Sequence, residues 1–165
     1  MSNLDHQQSR RSFLIRASLA TLVATAVGFS IHVIYGEGVL QDYIQRAAQA
    51  GRLDSLVSEP LPLPIVAIAF VTALIPYAFK VLIYYWAGHL LPGRNPFLKG
   101  LSYGILLLGL DHSLIRMPVM NFVVGNPADV VLLMSAEAWS IALISGLIIA
   151  FIVPLRNSEH GSSNQ

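Results

Sequence analysis

The sequence predicts an all-α integral membrane protein, a four-helix bundle with a short amphipathic helix in its first outer loop. Of its 165 residues, 55% are hydrophobic and only 12% are charged. Soluble domains carry about 25% charged residues, so this composition indicates long runs that face lipid or a dry core. The chain contains several runs of the roughly 20 mostly apolar residues that one bilayer crossing needs.

The predicted transmembrane domain, 13–153, follows a polar N-terminal flank, 1–12. Its four predicted spans are 13–35, 62–91, 97–122 and 128–153. Pro62, Pro96 and Pro127 stand at the starts of the last three. Proline is tolerated there because the first backbone N–H groups of a helix have no partner within the helix.

The first outer loop contains the sequence VLQDYIQRAAQAGRLDSLV. Its apolar residues Leu40, Tyr43, Ile44 and Ala47 recur at helical spacing, with polar residues between them. This pattern predicts an amphipathic helix that lies along the membrane surface or caps the bundle. A solvated loop is the alternative. The segment 154–165 is polar, and we expect it to be a disordered tail.

The distribution of Lys and Arg predicts the orientation, because cytoplasmic flanks collect these residues. One side carries Arg10, Arg11, Arg16, Arg94, Lys99 and Arg156, and the other carries Arg46 and Arg52. Both termini are therefore expected in the cytoplasm, with the protein in a bacterial inner membrane. The start SRRSFL also resembles the twin-arginine export signal, but the long apolar run after it better suits the positive flank of an uncleaved first span.

The third predicted span reads GILLLGLDHSLIRMPVM and contains Asp111, His112 and Arg116. The other spans contribute His32, Lys80 and Glu137 to a predicted intramembrane polar network. Rows of small residues mark the faces where membrane helices pack closely. Such rows are Gly100 and Gly104 in the third span, and Ala142, Gly146 and Ala150 in the fourth.

The same rows predict where the polar side chains face. Asp111 shares the glycine face, and His32 and Lys80 continue small-residue rows, so we expect all three to be buried. Glu137 is predicted to face away from the close-packed side, on an otherwise aliphatic stripe that would contact another chain.

Depth along the helices predicts two ion pairs. At a rise of about 1.5 Å per residue, Lys80 lies about 5 Å from the level of Asp111, which its flexible stem can bridge. Arg116 and Glu137 lie about 9 and 6 Å outward of the midplane, so they form the second predicted pair, which His112 is able to join.

The sequence excludes several functions and leaves others open. Without cysteine there is no thiolate metal site or thiol redox centre, and a net charge of +1 gives no reason to expect nucleic acid. No catalytic motif is present, which argues against an enzyme. We expect a non-enzymatic accessory or scaffold subunit that contacts membrane lipid and another membrane chain or a second copy of itself.

Four alternatives remain. The chain is a lipid-modifying enzyme, in which Arg116 and His112 meet a lipid headgroup near the outer surface. The chain forms an oligomer that moves protons, ions or a small solute through the Lys80/Asp111 and Arg116/Glu137 groups. The pairs serve only to fix the register of the helices. A b-type haem is held by His32 and His112, whereas otherwise no cofactor or metal is expected.

Overall fold

The computed structural model describes residues 3–53, 63–111, 113–123 and 125–155, and within them every regular element is helical. The α-helices are α1 (Asn3–Ile31), α2 (Gln41–Gln49), α3 (Leu63–Ala87), α4 (Pro96–Leu110), α5 (Arg116–Val123) and α6 (Ala128–Ile152). Three runs of these described residues are long and apolar enough to cross a membrane: Arg10–Gln49, Ala67–Leu90 and Ala128–Ile152.

The first long helix continues well beyond residue 35, the predicted end of the first span. A π-helical segment, His32–Leu40, joins α1 to α2, and the backbone is right-handed helical at both junctions. The predicted amphipathic helix is present as α2, where Ala47 is buried. It does not lie in a separate loop, however, because no proline interrupts the chain and the π turns accommodate Gly36 and Gly38.

The third predicted span, 97–122, is not one helix. α4 ends at Leu110, the chain turns, and α5 begins at Arg116. Pro118 explains the restart, since it lacks the N–H that a continuous helix would need there. As the third residue of α5 it is tolerated, because that N–H would have no partner within the helix. At 15 residues, α4 is about 22 Å long, shorter than a hydrocarbon core of about 30 Å.

α4 and α6 pack antiparallel along a line of small residues, which we call the glycine seam: Gly100 and Gly104 on α4, and Ala142, Gly146 and Ala150 on α6. A Cβ added to Gly146 would lie 2.5 Å from the Gly100 carbonyl oxygen. One added to Gly104 would lie 2.7 Å from Leu143 Cα. The backbones therefore touch, and the prediction that these two rows pack closely is confirmed.

α3 packs against α1 through aromatic side chains. The Tyr77 ring covers Gly28, where an added Cβ would lie 2.1 Å from the hydroxyl oxygen. The Phe29 and Phe70 rings meet edge to face at 5.4 Å. Between α3 and α4 lie Tyr84 and Tyr103, both fully buried, with ring centroids 5.1 Å apart. This aromatic core positions α3 and the end of α4 beside each other.

Candidate functional site

Two polar clusters lie near the middle of α6, where they contact Glu137 and Trp139, and we call them the histidine cluster and the break cluster. The histidine cluster consists of His32, Glu37 and Glu137, where the π-helical segment meets α6. The break cluster consists of Lys80, Asp111 and Ser113, where α4 ends beside α3. Both clusters therefore occur at about the same height in the bundle, on different sides of α6.

In the histidine cluster an imidazole lies between two carboxylates. Its Nδ1 is 2.7 Å from Glu137 Oε1, and its Nε2 is 3.7 Å from Glu37 Oε1. The Glu137 side chain is 14% exposed, whereas the His32 and Glu37 side chains are about half exposed. Each ring nitrogen of the imidazole therefore faces a carboxylate, and the nearer contact, between Nδ1 and Glu137 Oε1, is a hydrogen bond.

Local backbone structure makes this contact possible. A Cβ at Gly36 would lie 2.7 Å from Glu137 Oε1 and 3.0 Å from His32 Nδ1, so only glycine leaves room for the pair. One turn before Glu137 on α6, the Leu133 carbonyl accepts a hydrogen bond from the Tyr35 hydroxyl at 3.2 Å. These contacts hold the π-helical segment against α6. Such segments are rare and frequently occur at functional sites.

The break cluster surrounds the interruption between α4 and α5. Lys80 Nζ lies 3.2 Å from Asp111 Oδ2 and 5.1 Å from the centre of the Tyr77 ring. The Trp139 indole N–H donates to the Ser113 carbonyl at 3.0 Å. This hydrogen bond satisfies one backbone carbonyl of the turn between α4 and α5. The Lys80 side chain is 20% exposed and that of Asp111 is 50% exposed. The pair therefore lies at the surface of this single chain.

The structure brings together some predicted residues and separates others. Lys80 and Asp111 meet as the depth argument expected, but Asp111 and His32 are half exposed rather than buried. Glu137 does not pair with Arg116, and it does not face away from the bundle. It hydrogen-bonds His32, because the π-helical segment that follows α1 lies against that side of α6. His112, and with it the predicted haem ligation, lies outside the described residues.

A third polar cluster, which the sequence did not reveal, ties α2 to the start of α6. The Arg52 guanidinium donates to both carboxylate oxygens of Asp129, at 2.9 and 2.7 Å, and the Tyr43 hydroxyl donates to the same carboxylate. These hydrogen bonds raise the pKa of Arg52 above its ordinary value. The sequence signal that could have predicted this cluster was Asp129, an acidic residue in the first turn of α6 at the same end of the bundle as Arg52.

Over 3–53, 63–111, 113–123 and 125–155, no group of three or more His, Asp or Glu residues is arranged to hold a metal ion. Comparison of the chain with protein-family models, curated proteins and solved structures gives no match. The class that the fold defines is thus an all-helical protein with three helices able to cross a membrane.

Proposed function

We propose that this chain is a polytopic membrane protein and acts as a non-enzymatic subunit of a larger membrane assembly. Three long apolar helices support the membrane location, and α4 followed by α5 would supply a fourth crossing. An even number of crossings leaves both termini on one side. The bias of Lys and Arg favours the cytoplasmic face of a bacterial inner membrane.

The observation that carries this proposal is the exposure of the Lys80–Asp111 pair. The Asp111 side chain is half exposed at the level of the middle of α6. In a bundle that spans the membrane, that level is the hydrocarbon interior, where a charged side chain costs about 2.5–3.5 kcal/mol on insertion scales. Pairing with Lys80 offsets part of this cost, and coverage by another protein surface offsets more.

The surface beside the pair suits such coverage. On α3, Phe79 and Ile83 flank Lys80 and are 62% and 41% exposed, and Leu110 next to Asp111 is 56% exposed. An ion pair within an apolar surface gives a partner helix both contact area and a specific polar anchor. We infer that the partner is a second membrane chain, or another copy of this one.

The test removes both charges, so that neither is left unpaired. We expect the double variant Lys80→Met/Asp111→Leu to stay in the membrane fraction and to lose the chain that cross-links to and co-purifies with the wild type. The control is Asp42→Asn/Arg46→Gln, which removes one charge of each sign from exposed positions on α2. Equal recovery of the partner with both double variants would contradict the proposal.

A second candidate is an oligomeric transporter of protons, ions or a small solute, and the α4–α5 break favours it. Within a membrane, non-helical backbone is tolerated only where it is buried in protein or lines an aqueous cavity. Transporters place binding sites at such broken helices. For this candidate, Asp111→Asn in proteoliposomes should abolish flux while the oligomer stays intact. A subunit role instead predicts loss of assembly.

A further inference from the structure

The α4–α5 break also forms an open cavity of about 320 Å³. Its lining includes Leu108 and Leu114 before α5, and Ile115, Val119 and Met120 around the start of that helix. Among the residues that the structure describes, Arg116 is the one charged member of the lining. None of Phe79, Lys80, Ile83, Leu110 and Asp111 lines this cavity, so it shares no residue with the surface proposed above for a partner chain.

Arg116 differs from the other charged side chains at the middle of the bundle. Lys80 and Asp111 pair with each other at 3.2 Å, and Glu137 contacts His32 at 2.7 Å. Arg116 is exposed and forms no ion pair or hydrogen bond with any side chain that the structure describes. A guanidinium beside an apolar cavity therefore offers an anion one charge-assisted, bidentate contact.

We propose that this cavity binds an anionic phospholipid, with an acyl chain against the apolar lining and the phosphate on Arg116. The apolar rim is open toward the surroundings of the bundle, since Ile115 is 68% exposed and Val119 and Met120 are each 50% exposed. A small water-soluble anion would gain nothing from that lining. By its place along the chain Arg116 lies about 9 Å outward of the midplane, and its side chain is long enough to extend from there to lipid phosphates.

The proposal rests on the membrane location given under Proposed function, but not on the partner chain. Loss of the partner through the Lys80 and Asp111 variants would leave lipid binding intact. Conversely, an Arg116 variant that no longer binds lipid would leave Lys80 and Asp111 paired. A chain recovered only outside the membrane fraction would overturn both proposals together, and that result is read from fractionation before any lipid is measured.

The experiment measures the phospholipid retained per chain after purification from membranes in mild detergent. We expect Arg116→Gln to retain about tenfold less phosphatidylglycerol than the wild type, because a charge-assisted contact is lost. Arg94→Gln is the matched control, as it removes the same charge from an exposed loop position. Arg116→Lys keeps the charge without the bidentate geometry and should retain an intermediate amount.

A second variant tests the apolar half of the site and keeps the charge. Val119→Trp should fill the cavity and lower phosphatidylglycerol retention to the level of Arg116→Gln. Added phosphatidylglycerol should raise the thermal midpoint of the wild type, and phosphatidylcholine should not. Equal retention in wild type and both variants, equal effects of the two lipids, or a protein cross-linked at position 116 in place of lipid would each overturn the proposal.

Discussion

Replacement of Gly146 by alanine tests the packing of α4 on α6. The new Cβ would lie 2.5 Å from the Gly100 carbonyl oxygen and 2.6 Å from the Gly104 nitrogen. Both are backbone atoms, so no side-chain rotation relieves the clash. Restoring the ordinary contact of 3.4 Å requires the helices to separate by 3.4 − 2.5 = 0.9 Å. A gap of this size forfeits a quarter to a half of each dispersion contact across the seam.

We expect Gly146→Ala to lower the free energy of unfolding by about 1–3 kcal/mol, the usual cost of overpacking a close contact. Gly109→Ala is the matched control, because an added Cβ there meets nothing within 4 Å. Alanine should raise stability at that position by about 0.4–1 kcal/mol, since it restricts the unfolded chain. The two variants should therefore shift stability in opposite directions.

The assay is thermal unfolding of the purified variants in one detergent. A change of 1 kcal/mol shifts the midpoint of a chain of this size by about 2–4 °C, so a difference of several degrees separates the two variants. If Gly146→Ala melts at or above the wild-type temperature while Gly109→Ala does the same, the seam does not bring the backbones into contact and the reasoning is refuted.

Two further predictions concern the mid-height clusters. Gly36→Ala should weaken the contact between imidazole and Glu137 and cost about 1–3 kcal/mol of stability, because its Cβ would lie 2.7 Å from the carboxylate. Gly38→Ala, whose Cβ meets only a carbonyl at 3.8 Å, should cost less in the same melting assay, and equal losses would count against the contact. Lys80→Met should melt lower than Lys80→Met/Asp111→Leu, because the single change leaves a carboxylate unpaired. A double variant that melts below the single variant would argue against the pair.

The sequence predicted the helical fold and the glycine seam because both depend on local patterns. Small residues four apart identify a face that allows close approach, whatever the rest of the chain does. The Lys80–Asp111 contact was also predictable, since depth along two neighbouring helices brings these side chains to similar heights. In each case the residues of one helix, or of one pair of adjacent helices, were sufficient to predict the contact.

The partner of Glu137 was not predictable in the same way. Depth arithmetic assigns a height to a side chain, but not the neighbour that it faces around the helix axis. Arg116 matched the height of Glu137, yet the π-helical segment that follows α1 lies against that side of α6 and provides His32 instead. The break after Leu110 was also missed, because hydropathy remains high on both sides of it and only Pro118 signalled a new helix start.

Backbone contact along the glycine seam also predicts a sequence pattern by which distant relatives could be recognised. Surface and lipid-facing positions accept many residues, so overall similarity fades quickly between diverged chains. The seam positions Gly100, Gly104 and Gly146 do not tolerate such substitution, because any side chain there would clash with the backbone of the neighbouring helix. A chain that keeps two glycines four apart, followed about 40 residues later by small residues at the same spacing, would share this helix pair even where the rest of its sequence had drifted.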